Sequence, residues 1–468
     1  MKAGEKKTTL FFVGGIGDID IATNQSLKNT IKFLSQFGFR IHFFGALPSH
    51  YRILQDPKKV FSDQVTFHRS PDFLTPIFDF GKLLKDMFGL SRKKNDEKIQ
   101  TLKATQKIRY YDEYNFLGRL LYIAFLFMYA PFEIIRVSYY CFKLKPDLIY
   151  GMNGQGGSIA VLVAQLFRKP MLQRWHGCSL TEEDLERIRT RVKDKILLLD
   201  GSFTKWLPSD AVIMTNDGTQ GEKLFRLIGV PPEKIHFWMN GMDVDDMTLP
   251  EAWDSEKFKQ SLGLSGKRIL MTASRLVLWK RVDRAVDCLY RLVKEQGMTD
   301  VVLLVLGQGP EKENLQALAK QLGVDAHLKI AGAVPHEDIS KYYSIADVFL
   351  NLYDISNLGN PLLEAMYWGL PIASIDDGST EELLQDGQNA FLSKHEKLDT
   401  EFPLKVKRLL DEPALRKTLG ANVKKTFDQK VMSWEDRMRM EYDMINQLIA
   451  RKTGRTPAAS RQESAGIV

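Results

Sequence analysis

Short apolar runs recur along the chain between segments of helical period. Leu10–Val13, Arg40–Phe44, Gln64–Phe67, Asp147–Tyr150, Met171–Trp175, Ala211–Met214 and Ile235–Phe237 read as strands, with helical patterns between most of them. A polar, turn-rich stretch follows around Asn240–Trp253. Then the alternation resumes. Arg268–Thr272, Val301–Leu306, Leu328–Ala331, Val348–Leu352 and Ile372–Ser374 are strands, and helices lie near Val282–Glu295, Lys312–Leu322, Glu337–Ser344 and Pro361–Tyr367. Unbroken apolar strands spaced by amphipathic helices predict parallel sheets covered on both faces. A chain of 468 residues is too long for one core. The expected fold class is therefore α/β, with two facing Rossmann-like, doubly wound domains at 1–245 and 246–432. Such a pair places a ligand at the carboxyl ends of its strands. A last helix, 433–453, takes Ser433 as N-cap, with Glu435 and Asp436 in its first turn. The small, polar segment 454–468 is expected to be a disordered tail.

The chemistry concentrates in SNLGNPLLEAMYWGLPIASIDDGSTEE, Ser356–Glu382. After a buried strand and Gly359, Asn360-Pro361 opens a helix, with Asn suited to the cap and Pro to the first turn. A helix start presents free N–H groups and a positive dipole end to an anion such as phosphate. Glu364, one turn in, can accept hydrogen bonds from ribose hydroxyls. Residues 376–387 read as a loop followed by a helix. This block resembles the donor-binding core of retaining glycosyltransferases of the GT-B fold, in particular glycosyltransferase family 4. There the pattern is a Glu, seven residues, a second Glu, and a small-residue turn of the G-hydrophobic-P type. Glu364 holds the second position, and Ser356 stands at the first.

The resemblance implies a UDP- or GDP-sugar donor and no cofactor. It implies that the last helix crosses back onto the first domain. Arg275 and Lys280 fall where the family binds the diphosphate; a departing diphosphate needs fixed cations where no metal meets it. Gly14 and Gly15 match a Gly pair lining the cleft. His176 matches a strand-end histidine able to bind a sugar hydroxyl or meet developing charge; a buried structural histidine is the plainer reading. Gly332 and Val334 lie where nucleoside contacts fall. Asn360, Pro361 and Leu362 at the helix start fall on the diphosphate, Glu364 on the ribose and Asn357 on the sugar hydroxyls, and Glu382, or its neighbour Glu381, matches a donor-site Glu. Ser356 supplies no carboxylate to the transferred sugar. Asp354 can do so only if the loop is reshaped, and Asn357 offers an amide instead. The departure leaves two outcomes: an active enzyme with an altered sugar contact, or an inactive relative that binds nucleotide or a partner subunit.

Composition excludes other classes. The residues after the first strand lack the third glycine of a dinucleotide fingerprint, since position 20 is Asp20. Cys141, Cys178 and Cys288 have no paired spacing, which speaks against a disulfide framework or zinc site and fits a reducing, cytoplasmic compartment. Asp243-Val244-Asp245 looks like a metal-binding pair but sits in the interdomain join, so no metal is expected. Net charge is +7, and Lys82–Arg109 holds nine basic and three acidic residues. The uncharged Leu120–Phe132 follows, shorter than the roughly 20 apolar residues of a bilayer crossing. Either a buried helix beside a solvated loop, or a surface resting on anionic lipid at the inner face of the cell membrane, accounts for the pair. No nucleic-acid motif is present.

Overall fold

The structure, a computed structural model, describes residues 7–14, 25–45, 61, 63–69, 116–176, 208–215, 218–227, 229–244, 247–354 and 357–454. Two sheets organise it. In the first, β1 (Thr9–Val13), β2 (Arg40–Gly45), β3 (Val65–Arg69), β4 (Leu148–Met152), β5 (Met171–Trp175), β6 (Ala211–Met214) and β7 (Ile235–Phe237) run in the order 3-2-1-4-5-6-7. In the second, β8 (Arg268–Ala273), β9 (Val301–Leu306), β10 (Leu328–Gly332), β11 (Val348–Asn351), β12 (Ile372–Ile375) and β13 (Ala390–Ser393) run 10-9-8-11-12-13. The strand pairs are parallel. Both orders reverse direction beside the first strand, the switch point of a doubly wound sheet.

The unbroken apolar runs have a direct cause. Successive strand residues face opposite sides of a sheet. Leu10 and Phe12 enter one core, Phe11 and Val13 the other. In β9, Val301, Leu303 and Val305 face one side, and Val302, Leu304 and Leu306 face the other. Both faces are dry, so no polar alternation survives.

The last helix, Trp434–Thr453, starts at Ser433, whose Oγ accepts from Asp436 N–H. It leaves the second domain and packs Trp434, Met438, Ile445 and Leu448 against Leu10, Phe12 and Ile31 of the first. This is the GT-B arrangement. A buried ionic group fastens the helix there. Glu441 accepts from Arg437 Nη1 at 3.0 Å and Arg174 Nη1 at 3.4 Å, and from the Tyr150 hydroxyl. Arg174 also reaches Ser26 Oγ at 3.0 Å and Asn240 Oδ1 at 3.2 Å. Burial alone would raise the Glu441 carboxyl; Arg174 and Arg437 outweigh it and hold it below the usual range.

The chain crosses between domains twice, side by side. Met242 N–H donates to Met432 O at 2.9 Å, and Trp434 N–H donates to Asp243 Oδ1 at 3.2 Å. A Cβ on Gly241 would collide with the Ser433–Trp434 backbone. Asp243 thus braces the join; Asp245 lies outside the described residues.

Three local expectations need correction. β13 was absent from the sequence reading. Residues 377–388 form turns and no helix: Asp377 Oδ1 takes Ser379 N–H at 3.0 Å, and Asn389 Oδ1 takes Gln385 N–H at 2.8 Å. These side chains give the backbone local partners that compete with a helix. Finally, the cap of the helix Asn360–Tyr367 is Gly359, and Asn360 is already its first residue.

Candidate active site in the interdomain cleft

The loops that leave β8, β9 and β11 meet at the carboxyl edge of the second sheet. Leu276 N–H donates to Gln308 O at 3.0 Å, and Glu311 N–H to Leu276 O at 3.0 Å. Gly307 (φ 134°) and Gly309 (φ 158°) lie so close to Ser274 O and Leu276 O that any Cβ would collide. Only glycine allows that approach.

Lys280 ends a short 3-10 turn, Leu278–Lys280. Its ammonium stands 4.1 Å from the centre of the Tyr353 ring. Tyr353 is buried, and its hydroxyl donates to Ala273 O at 2.7 Å. Arg275 is exposed, with its guanidinium 6.0 Å from the Trp279 ring centre.

The helix Asn360–Tyr367 begins without a side-chain cap, with Pro361 in its first turn. Leu362 N–H turns back to Gly359 O at 3.0 Å. Glu364 is buried one turn in, and Tyr343 Oη donates to its Oε2 at 2.8 Å. Burial pushes the Glu364 carboxyl up; the Tyr343 hydrogen bond and the nearby His336 oppose that. The charge of Glu364 in turn helps push the Tyr353 hydroxyl up, after burial. Lys280 thus stands over the Tyr353 ring, and Glu364 is held by Tyr343.

Glu364, Asn360, Leu363 and His336 line a small recess open to solvent. Asp243, Met247 and Trp434 close its other side. Arg275 and Lys280 do not line it, so the two cations stand apart from the Glu364 recess.

On the facing domain, Gly14 continues from β1, and its N–H donates to Phe44 O at 2.8 Å. A Cβ on Gly156 would run into Val13 O and Gly14, so the helix Asn153–Leu166 starts pressed against that turn. His176 follows β5. Its backbone N–H and Nδ1 lie 3.2 and 3.1 Å from Asn153 Oδ1. An amide oxygen only accepts, so the ring proton sits on Nδ1. Nε2 has no hydrogen-bond partner among the described residues. Burial, then the charge of Arg174, pushes the imidazole down to about 3. His176 is thus neutral at pH 7, and Nε2 is a hydrogen-bond acceptor.

Gly332 O receives Gly307 N–H at 2.7 Å, and Val334 packs on the second core. Asn357 is buried; its Nδ2 donates to Tyr353 O at 3.0 Å and Asp377 Oδ2 at 3.2 Å, leaving Oδ1 without a partner among the described residues. Glu382 is half-buried. Burial raises its carboxyl; Lys430 opposes that, and Glu222 of the first domain raises it further. Gly15 and Ser356 lie outside the described residues, as does Lys82–Arg109.

Asp354 does not serve the sugar. Its carboxylate is enclosed by Arg281 Nη1 at 3.0 Å and Arg284 Nη2 at 2.7 Å. The sequence reading missed both arginines. Arg281 at the cap and Arg284 in the first turn of the amphipathic helix Val282–Tyr290 could have signalled a buried partner.

Residues 254–426 match the family model described as glycosyl transferases group 1. A GDP-mannose-dependent alpha-(1-6)-phosphatidylinositol monomannoside mannosyltransferase of Mycolicibacterium smegmatis is 27% identical over 38% of this chain and 48% of its own. An alpha-monoglucosyldiacylglycerol synthase of Acholeplasma laidlawii is 28% identical over 55% and 65%. The matches thus span about half to two thirds of these relatives' lengths. Anabaena Alr3699/HepE in complex with UDP-glucose superposes with a TM-score of 0.61 at 16% identity, over 95% of this chain and 99% of that one. The resemblance to group 1 glycosyltransferases and the GT-B fold holds.

Proposed function

We propose that the protein is a nucleotide-sugar-dependent glycosyltransferase that moves a hexose from a UDP- or GDP-sugar onto a hydroxyl, with retention at the transferred carbon. The observation that carries this reading is the buried Glu364 one turn into a helix that starts without a side-chain cap, on the same sheet edge as the Lys280 ammonium over Tyr353. Lys280 and Arg275 meet the diphosphate, the helix start adds N–H groups and dipole, and Glu364 takes the ribose hydroxyls. His176 Nε2 accepts from a sugar hydroxyl, near Gly14. Retention requires attack on the leaving-group face, where a phosphate oxygen takes the acceptor proton. Closure of the two domains excludes water, which would otherwise consume the donor. The relatives' names carry a phosphatidylinositol mannoside and a glucosyldiacylglycerol. A lipid-linked or polysaccharide acceptor is therefore the favoured class. Release of UDP or GDP from a panel of sugar nucleotides, with and without lipid acceptor and with a chelator present, tests the reading. Chelator-resistant release is expected; nucleotide binding without release across the panel would instead indicate an inactive relative.

A lipid-linked acceptor supports a peripheral position at a cytoplasmic membrane face. No helix among the described residues is long and apolar enough to cross a membrane. The described end of Leu120–Phe132 packs inward, with Tyr129 buried. The support lies further along the helix Phe116–Leu144. Ile135 (70% exposed), Tyr139 (57%) and Phe142 (72%) share one helix face, and Leu166 (67%) lies on the adjoining helix. Lys143, Lys145 and Arg168 are exposed around them, while the nearby Glu133 is buried against Arg136. Apolar side chains within a cationic rim suit an anionic bilayer surface. Phe142→Asp is expected to lower binding to phosphatidylglycerol vesicles about tenfold, because a buried Phe contributes roughly 1.5–3 kcal/mol. Unchanged cosedimentation would remove this surface.

A further inference from the structure

A closed cluster of charges lies beneath the proposed diphosphate cations. Asp354 Oδ2 accepts from Arg281 Nη1 at 3.0 Å, and Oδ1 from Arg284 Nη2 at 2.7 Å. Its backbone N–H donates to Trp279 O at 3.0 Å. Arg284 Nη1 also reaches Leu352 O at 2.8 Å, and Arg281 Nη2 reaches Asp283 Oδ2 at 3.1 Å. The residues on both sides of Lys280 are therefore tied to one residue of the facing loop. Tyr353, next to Asp354, carries the ring beneath the Lys280 ammonium. Arg281 adopts a left-handed backbone (φ 45°, ψ 40°). A bulky residue holds that conformation only where its surroundings enforce it. Buried ion pairs are a weak source of stability, because desolvation offsets most of the attraction. What they supply well is a fixed geometry.

We propose that Asp354 is a positioning residue for Lys280: it clamps the turn at 279–281 to the loop at 352–358, so that the ammonium stands at a set place relative to the helix start at Asn360. This rests on the donor-site reading above and adds a residue outside the donor contacts. Asp354 touches neither nucleotide nor sugar; it acts through Lys280. Its loss should therefore weaken recognition of the diphosphate and spare the nucleoside, which Glu364 and the segment at Gly332–Pro335 would hold.

A double-mutant cycle on the full chain tests this. Affinities for UDP and GDP, and for uridine and guanosine as diphosphate-free controls, are measured for wild type, Asp354→Asn, Lys280→Ala and the double variant. Asp354→Asn is expected to weaken the bound diphosphate about tenfold and the nucleoside less than about twofold, and the double variant should bind no worse than Lys280→Ala alone. Additive losses, or equal losses for nucleoside and diphosphate, overturn the proposal. Should Asp354→Asn fail to fold, Arg281→Gly takes its place. Glycine suits φ 45° and the Arg284–Asp354 pair survives. A selective loss supports the clamp, and an unselective or absent loss overturns it. If the wild-type chain binds neither diphosphate, the donor-site reading itself falls, and the clamp with it. That outcome is distinct from a binding wild type with unselective variants.

Discussion

Lys280→Ala is expected to lower kcat/KM for the sugar-nucleotide donor by about 10²–10³-fold, the loss typical of removing one preorganised group that meets developing charge. The departing diphosphate gains negative charge as the glycosidic bond breaks. An ammonium already in place stabilises that charge without reorganising. The Tyr353 ring, 4.1 Å away, restrains the lysine through a cation–π contact. Arg275 is exposed on the same loop and lacks that restraint from Tyr353. The loss should fall on kcat as well as KM, since the charge is larger in the transition state than in the bound donor. Lys280→Arg should recover only part of the activity, because a planar fork replaces a point charge. Initial rates of UDP or GDP release check this. A kcat/KM within about threefold of wild type would show that Lys280 faces no diphosphate.

Glu441→Gln is expected to destabilise the chain by about 3–5 kcal/mol, the range for removing one partner from a buried ion pair. The substitution keeps the shape and strands two enclosed guanidinium groups, Arg174 and Arg437. Arg437 Nε still holds Met239 O at 2.9 Å, so the damage should centre on the seam between the last helix and the first domain. The pH dependence has a definite sign. The folded Glu441 carboxyl lies below its ordinary value. Its contribution is therefore complete above the unfolded value, about 4.3, and is lost as pH falls through the folded one. The variant should lack that part of the acid transition. Urea unfolding followed with hydrogen exchange on residues 434–453 measures both effects. An unchanged midpoint and unchanged protection of that helix would refute the role assigned to Glu441.

Much of the architecture was legible along the chain, and the reason is local. A strand buried on both faces needs apolar residues at every position, as in TLFFV and VVLLVL. β13 escaped because AFLS is four residues long and stands between polar turns at the sheet edge. Asn360 was read as a cap because its residue type favours that place, yet the chain turns one residue earlier, at Gly359. The composition of residues 376–387 permits a loop and a helix; the side chains of Asp377 and Asn389 take the backbone for turns instead.

The site divides in the same way. The helix start and Glu364 could be read from a strand–loop–helix unit nearly complete within its own segment, whereas the two cations were named through the family resemblance. His176 could be named as well, but not its proton: only the fold brings Asn153 to Nδ1 and buries the ring. Asp354 looked like a substitute for the missing carboxylate at position 356, and the fold gave it to Arg281 and Arg284 instead.

The sequence by itself determined the alternation, the two sheets, and the helix start at Asn360–Glu364, because hydrophobic period and turn chemistry act over a few residues. Only the tertiary structure decided which charges are paired. Arg281 meets Asp354 across 73 positions, and Arg174 meets Glu441 across 267. Electrostatic partnership depends on distance in space and on the exclusion of water, and neither can be read from neighbours in the chain.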